Sequence, residues 1–129
     1  MTEEDIINFY NYTPTTLNQY PIDRVLNEFK NEIDVYIKDK NLLYEDGILK
    51  IKSDHRITDF DFVLLDGGPF SGDAEFEDIY GAKFIALDDV NDIKNNSNYY
   101  RLVNDVKYKL THEDWNLRNG FAIFKKNTT

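Results

Sequence analysis

A chain of 129 residues with 41% hydrophobic and 15% aromatic side chains has the size and apolar content of one modest core, which excludes a chain disordered throughout. Its 24 acidic residues against 15 basic ones give a formal charge of −9, a mean field that repels phosphate backbones and anionic surfaces, so neither nucleic acid nor membrane is an expected partner. The absence of cysteine excludes disulfides and thiolate metal sites, and the acidic start Met1-Thr2-Glu3-Glu4-Asp5, followed by no long apolar run, points to a soluble cytoplasmic protein.

The chain reads as a single domain with a soft boundary near Asn41, dividing a helical segment, 1–41, from a strand-rich remainder, 42–129. From Pro21 onward Ile22, Val25, Leu26, Phe29, Ile33, Tyr36 and Ile37 recur at three- and four-residue steps, one stripe of an amphipathic helix, with Pro21 suited to its first turn. Asp46-Gly47 is a turn signal, and Ile48 to Lys52 reads as a short strand. Phe62-Val63-Leu64-Leu65 is an unbroken apolar run, the pattern of a strand buried on both faces, and it ends in Asp66-Gly67-Gly68. Lys83 to Leu87 repeats the pattern and ends in Asp88-Asp89. The stretch between them accommodates a crossover helix over Asp73 to Tyr80, with Gly81 past its end, so the two strands should run parallel. A helix over Tyr99 to Val103, with Ser97 as its cap, precedes two final strands, Val106 to Leu110 and Gly120 to Lys125, expected as an antiparallel pair.

In open α/β sheets the ligand crevice lies beyond the carboxyl ends of the strands. Asp66, Asp88 and Asp89 stand at such ends, and if the two parallel strands are neighbours their carboxylates converge. Carboxylates so crowded need a cation, a proton or a cationic ligand, and a hard divalent ion such as Mg²⁺ would suit them. The same residues also serve as ordinary exits from a strand into a turn. Gly67 to Gly72 is a poor phosphate loop, because it lacks the P-loop lysine and Pro69 removes a backbone donor; a tight turn on the substrate side fits it better. His55 and His112 show no metal-ligand spacing and belong to no nucleophile motif, and Tyr99, Tyr100 and Trp115 are core material first.

Taken together, Asp59 to Pro69, Ala82 to Val90 and Arg118 to Lys126 resemble the fourth, fifth and seventh strands of class I S-adenosylmethionine-dependent methyltransferases, in particular a group that includes sugar- and small-molecule-modifying enzymes. The resemblance covers about half of the chain, and the order and spacing of the three pieces carry it. It implies an α/β fold, a partial Rossmann-like sheet that is mostly parallel with an antiparallel C-terminal strand, preceded by the amphipathic helix. It further implies a site above Asp66 and the Asp88–Asp89 pair, with Asp66 and Asp88 as catalytic carboxylates, Gly67 and Gly68 against the substrate, and Asp66, Asp88 and Asp89 as ligands of Mg²⁺ near the acceptor hydroxyl. Asp89 stands where an Asn is usual, and Gly67 where a His often follows the first Asp.

The larger departure lies upstream. In these enzymes a glycine-rich turn after the first strand covers the methionine moiety of S-adenosylmethionine, and an acid after the second grips its ribose. Nothing before Asp59 fits either element, since Gly47 is the only glycine there. The expectations are therefore a methyltransferase-like chain acting on a small molecule or sugar but lacking the cofactor-binding half, as a fragment of a longer enzyme would, or a non-catalytic interaction module or half-domain, completed by a partner chain or a second copy.

Overall fold

The computed structural model describes residues 1–38 and 47–128, and for residues 16 and 33–38 the backbone alone. The expected boundary near Asn41 and the Asp46 half of the expected turn lie outside the described residues.

Two helices open the chain. Thr2 and Asp5 close a reciprocal capping box at the start of α1 (Glu3–Tyr12), where Glu3, Glu4 and Asp5 also meet the positive end of the helix dipole. After a 3₁₀ turn over Thr16–Gln19, α2 (Ile22–Lys38) begins directly behind Pro21, whose carbonyl accepts from the Val25 N–H. The stripe predicted for α2 buries Val25 and Phe29, which join Ile6 of α1 and Ile93 in a small N-terminal core flanked by Leu26 and Phe70.

A four-stranded open sheet forms the second and larger core. Its strands β1 (Phe62–Leu65), β2 (Phe84–Asp88), β3 (Tyr108–Asp114) and β4 (Phe121–Lys126) stand in the order β1-β2-β4-β3. β1 and β2 pair in parallel, with Phe62 beside Phe84 and Leu65 beside Leu87, while β4 is antiparallel to both β2 and β3. Three strands thus point one way and the C-terminal strand the other, in a mixed α/β fold. The crossover from β1 to β2 is α4 (Gly72–Ile79), which ends where Gly81 takes φ +101°, a conformation that strains any residue with a Cβ. Phe76, Ile79, Ile85, Leu87, Leu102 and Phe124 are among the side chains buried between this sheet and its helices. Tyr108 of β3 fastens the turn into β2, its hydroxyl donating to the Ala82 carbonyl (2.7 Å) and accepting from the Gly81 N–H (3.0 Å).

Four local expectations are corrected. Ile48 to Lys52 is not a strand but part of α3 (Gly47–His55): Ile48 packs on the main core, Lys52 one turn later donates to the Asp78 carbonyl, and Leu49 and Ile51 stay exposed. A five-residue run of mixed apolar and charged residues satisfies either period, and packing against α4 selected the helix. β1 is not buried on both faces, since it is an edge strand whose Phe62 and Leu64 remain 58% and 56% exposed. Ser97 does not cap α5 (Asn96–Val103), because Asn95 holds that position and spends its side chain elsewhere. The first strand of the final pair starts at Tyr108 rather than Val106, which is left 89% exposed, and it runs on through an irregularity between Leu110 and His112 to Asp114. Among the described residues no helix is long and apolar enough to cross a membrane.

Candidate functional site

The carboxyl ends of the parallel pair carry the acids. Because β1 and β2 are hydrogen-bonded neighbours in register, Asp66 leaves one strand beside the place where Asp88 and Asp89 leave the other. One oxygen from each of the three carboxylates lies within 4.8 Å of the other two. Asp89 adopts φ +56°, the left-handed region that Asp tolerates better than most residues, and its N–H donates to Oδ1 of Asp88 (3.0 Å).

Lys94, which the sequence reading passed over, supplies the countercharge. Its ammonium donates to Asp66 and, at 3.1 Å, to Oδ2 of Asp89, and its side chain is only 13% exposed. Burial by itself would lower the Lys94 pKa, but the hydrogen bonds from the ammonium to Asp66 and Asp89, with the charges behind them, outweigh that and raise it. Asp66 moves the opposite way: the hydrogen bond and charge of Lys94 hold its carboxyl below the usual value, and the field of Arg118 adds to this. Arg118 comes from the β3–β4 loop, which is drawn toward Asp89 by the bonds Val90 N–H to Gly120 O (3.3 Å) and Asn91 N–H to Asn119 O (2.9 Å). Gly120 permits this approach, with φ +80° and room for no more than a close contact with Val90.

The donor set bears on the expected Mg²⁺. A hard divalent ion takes carboxylate oxygens and waters into its shell, and an ammonium cannot share that volume. With Lys94 bound to two of the three acids, these residues as folded do not fit a divalent ion. Charge compensation, which the crowding of the acids required, is met from within the chain.

A run of amides holds the strand ends in place. Asn95 is buried, and its Nδ2 donates to the Leu65 carbonyl (2.9 Å) and the Asp88 carbonyl (2.7 Å), tying the last residue of β1 to the last of β2. Asn98, also buried, donates to Asn95 Oδ1 (3.0 Å) and to the Gly72 carbonyl (3.2 Å). The signal was present in Lys94-Asn95-Asn96-Ser97-Asn98, a polar run that leads into and opens α5, but such runs ordinarily read as solvated loop.

Gly67 and Gly68 lie beside the acids, with carboxylates of the same chain against them. A Cβ on Gly67 would collide with the Glu75 carboxylate, and one on Gly68 would meet Glu32 at 2.6 Å. Glu75 is held by a hydrogen bond from Ser71 (2.6 Å), and Glu32 reaches over from α2, where Phe29 meets Phe70 edge to face. Burial, and then the charge of Glu75, raise the Glu32 pKa. So acidic a lining opposes phosphate and favours a neutral or cationic group. His55 and His112 are exposed and stand apart from this cluster, while Tyr99 is buried edge to face with Trp115. No family model, curated protein or solved structure matches this chain.

Proposed function

We propose that the chain is the acceptor-side half of a class I methyltransferase-like domain, a partial Rossmann-like unit of the cytoplasm whose strand tips bind a small-molecule or sugar hydroxyl. The observation that carries this reading is the convergence of Asp66, Asp88 and Asp89 at the ends of a parallel strand pair, in a sheet whose last strand opposes the other three. That is the strand arrangement and the acid placement that the resemblance implies.

Among the described residues ahead of β1, none form a strand followed by a glycine-rich turn. Gly47, the only glycine there, begins a helix rather than a turn after a strand. In this reading the methyl donor is held by residues outside this sequence, of the same polypeptide or of a partner. This chain binds the acceptor: Asp88 accepts a hydrogen bond from its hydroxyl and can take its proton, Asp66 orients the hydroxyl as a second acceptor, and Lys94 restrains Asp66 and Asp89 so that the carboxylates keep their positions.

The test is transfer of a radioactive methyl group from S-adenosylmethionine to hydroxyl compounds by the assembly recovered with this chain from its native cells. Transfer that falls at least about tenfold in Asp66→Asn and Asp88→Asn, with the assembly intact, is expected, whereas an intact assembly without transfer, or with transfer indifferent to both variants, overturns the reading. Calorimetry with S-adenosylhomocysteine on the chain alone should give no heat. A second reading, a non-catalytic module that docks through its sheet, is favoured by the bare edge of β1, and it gains if the assembly forms but transfers nothing.

A further inference from the structure

β1 ends the sheet, and among the described residues no strand lies beyond it. Natural edge strands are ordinarily protected by lysine, proline, a bulge or a covering element. The four residues of β1, Phe-Val-Leu-Leu, include no charge and no proline, and Phe62 and Leu64 are more than half exposed. A groove of about 480 Å³ runs along the strand, walled by Ile48, Phe60, Val63 and Ile79 and ending at the carboxylates of Asp66 and Glu75. Asp61 precedes β1 at its other end, with Asp59 beyond it paired to Lys126 at 3.9 Å, so an acid stands at each end of the apolar edge.

These charges choose between occupants. A second copy pairing antiparallel through its own β1 would bring Asp61 of one chain toward the end of the groove that Glu75 lines in the other, between two molecules that each carry −9. A partner with cations at both ends of an apolar strand meets no such opposition.

We propose that the β1 edge receives, by strand addition, an extended segment of a different protein in which apolar residues alternate and lysine or arginine flanks them at both ends. Main-chain hydrogen bonds to the strand edge supply affinity, the apolar side chains continue the faces of Phe62 and Leu64 and of Val63 and Leu65, and the flanking cations meet Asp61 at one end and Glu75 at the other, leaving Asp66 with Lys94. The proposal rests on the reading of the chain as half of a sheet that another chain completes.

The probe is a displayed library of random linear peptides selected on the intact chain. Enriched peptides should carry alternating apolar residues between lysines or arginines, should bind more weakly as salt rises, and should lose at least about tenfold in affinity for Leu64→Lys, which puts a cation on an exposed face of the edge without touching the core. Circular dichroism of that variant should match the wild type. No enrichment, enrichment of acidic or unpatterned peptides, or binding indifferent to Leu64→Lys overturns the proposal. A dimer in sedimentation equilibrium that Leu64→Lys dissolves also overturns it, in favour of a second copy. Because no methyl donor is used, peptide binding that survives a failed transfer assay separates the fate of this edge from that of the acceptor site.

Discussion

Lys94 sets the electrostatics of the strand tips. It answers for two of three clustered carboxylates, so replacing it with an isosteric apolar residue leaves like charges facing one another. Lys94→Met should lower stability by about 1–2 kcal/mol at neutral pH, measured by urea unfolding. Mg²⁺ should leave the wild-type melting temperature unchanged but raise that of Lys94→Met, because removing the ammonium frees the acids to bind a divalent ion to the folded state alone. A wild type stabilised by Mg²⁺ as strongly as the variant would show that Lys94 does not occupy the ion's place. The two acids should also part company. Asp88→Asn keeps the acceptor that the Asp89 N–H uses and removes one repelling charge, so it should be no less stable than wild type, whereas Asp66→Asn discards a partner of Lys94 and should melt lower. The sign with pH follows: a carboxyl held below its ordinary 3.8 contributes fully above that value and loses its contribution as pH falls through the depressed pKa, so the gap between wild type and Asp66→Asn should close below about pH 3.8.

Elements are joined here by buried amides and by one unfavourable pair. Asn95 belongs to the approach to α5 but satisfies the carbonyls at the ends of β1 and β2, the bond to Leu65 buried and that to Asp88 half-buried. Asn95→Leu should cost about 2–4 kcal/mol in urea unfolding, since it strands two acceptors and forces a branched side chain into a filled site; a loss under about 0.5 kcal/mol would mean the carbonyls find other donors. Where α2 meets the β1–α4 loop, Glu32 faces Glu75 across Gly68. Its raised pKa means that the folded state prefers the neutral acid, a contribution present below 4.5 and lost as pH rises through the folded value. Glu32→Gln should therefore raise the melting temperature at pH 7, by the equivalent of about 0.5 kcal/mol, and change nothing near pH 4. A destabilised variant at pH 7 would indicate that the glutamate fastens the helix to the loop as an anion.

The whole molecule is an acidic protein with its vulnerable flank at high pH. The Tyr80 hydroxyl donates to Asp105, which with burial pushes its pKa up to about 12, and burial, together with a hydrogen bond to Glu113, pushes Tyr99 to about 12. A phenol whose folded pKa lies above the ordinary 10.0 stabilises the fold fully below that value and loses its contribution as pH rises through the folded pKa. Lys94, raised from 10.5, acts in the same direction. Urea midpoints should hold level up to about pH 10 and then fall steeply toward pH 12, and the Tyr80→Phe, Tyr99→Phe double variant should start lower but decline more gently across that window. Parallel declines would show that neither phenol is coupled to folding.

Some of this was legible in the residues alone. The 3.6-residue period of α2, the apolar runs of β1 and β2 with acids at their ends, the crossover closed by Gly81 and the pairing of the last two strands all follow from local pattern, because backbone hydrogen bonding and burial impose those periods on any chain that adopts them. Local pattern likewise placed Asp66, Asp88 and Asp89 at strand ends. It did not show that Lys94 turns back into their midst, that Asn95 would bridge two strands instead of capping a helix, or that Glu32 would arrive from a helix more than thirty residues away, since each depends on which loops meet in space. The run from Ile48 to Lys52 went to α3 for the same reason: at five residues its periodicity is ambiguous, and the neighbour it packs on decides. Whether an apolar strand lies inside a sheet or at its edge is equally absent from its own residues; β1 stands at the edge, and its Phe62 and Leu64 are more than half exposed.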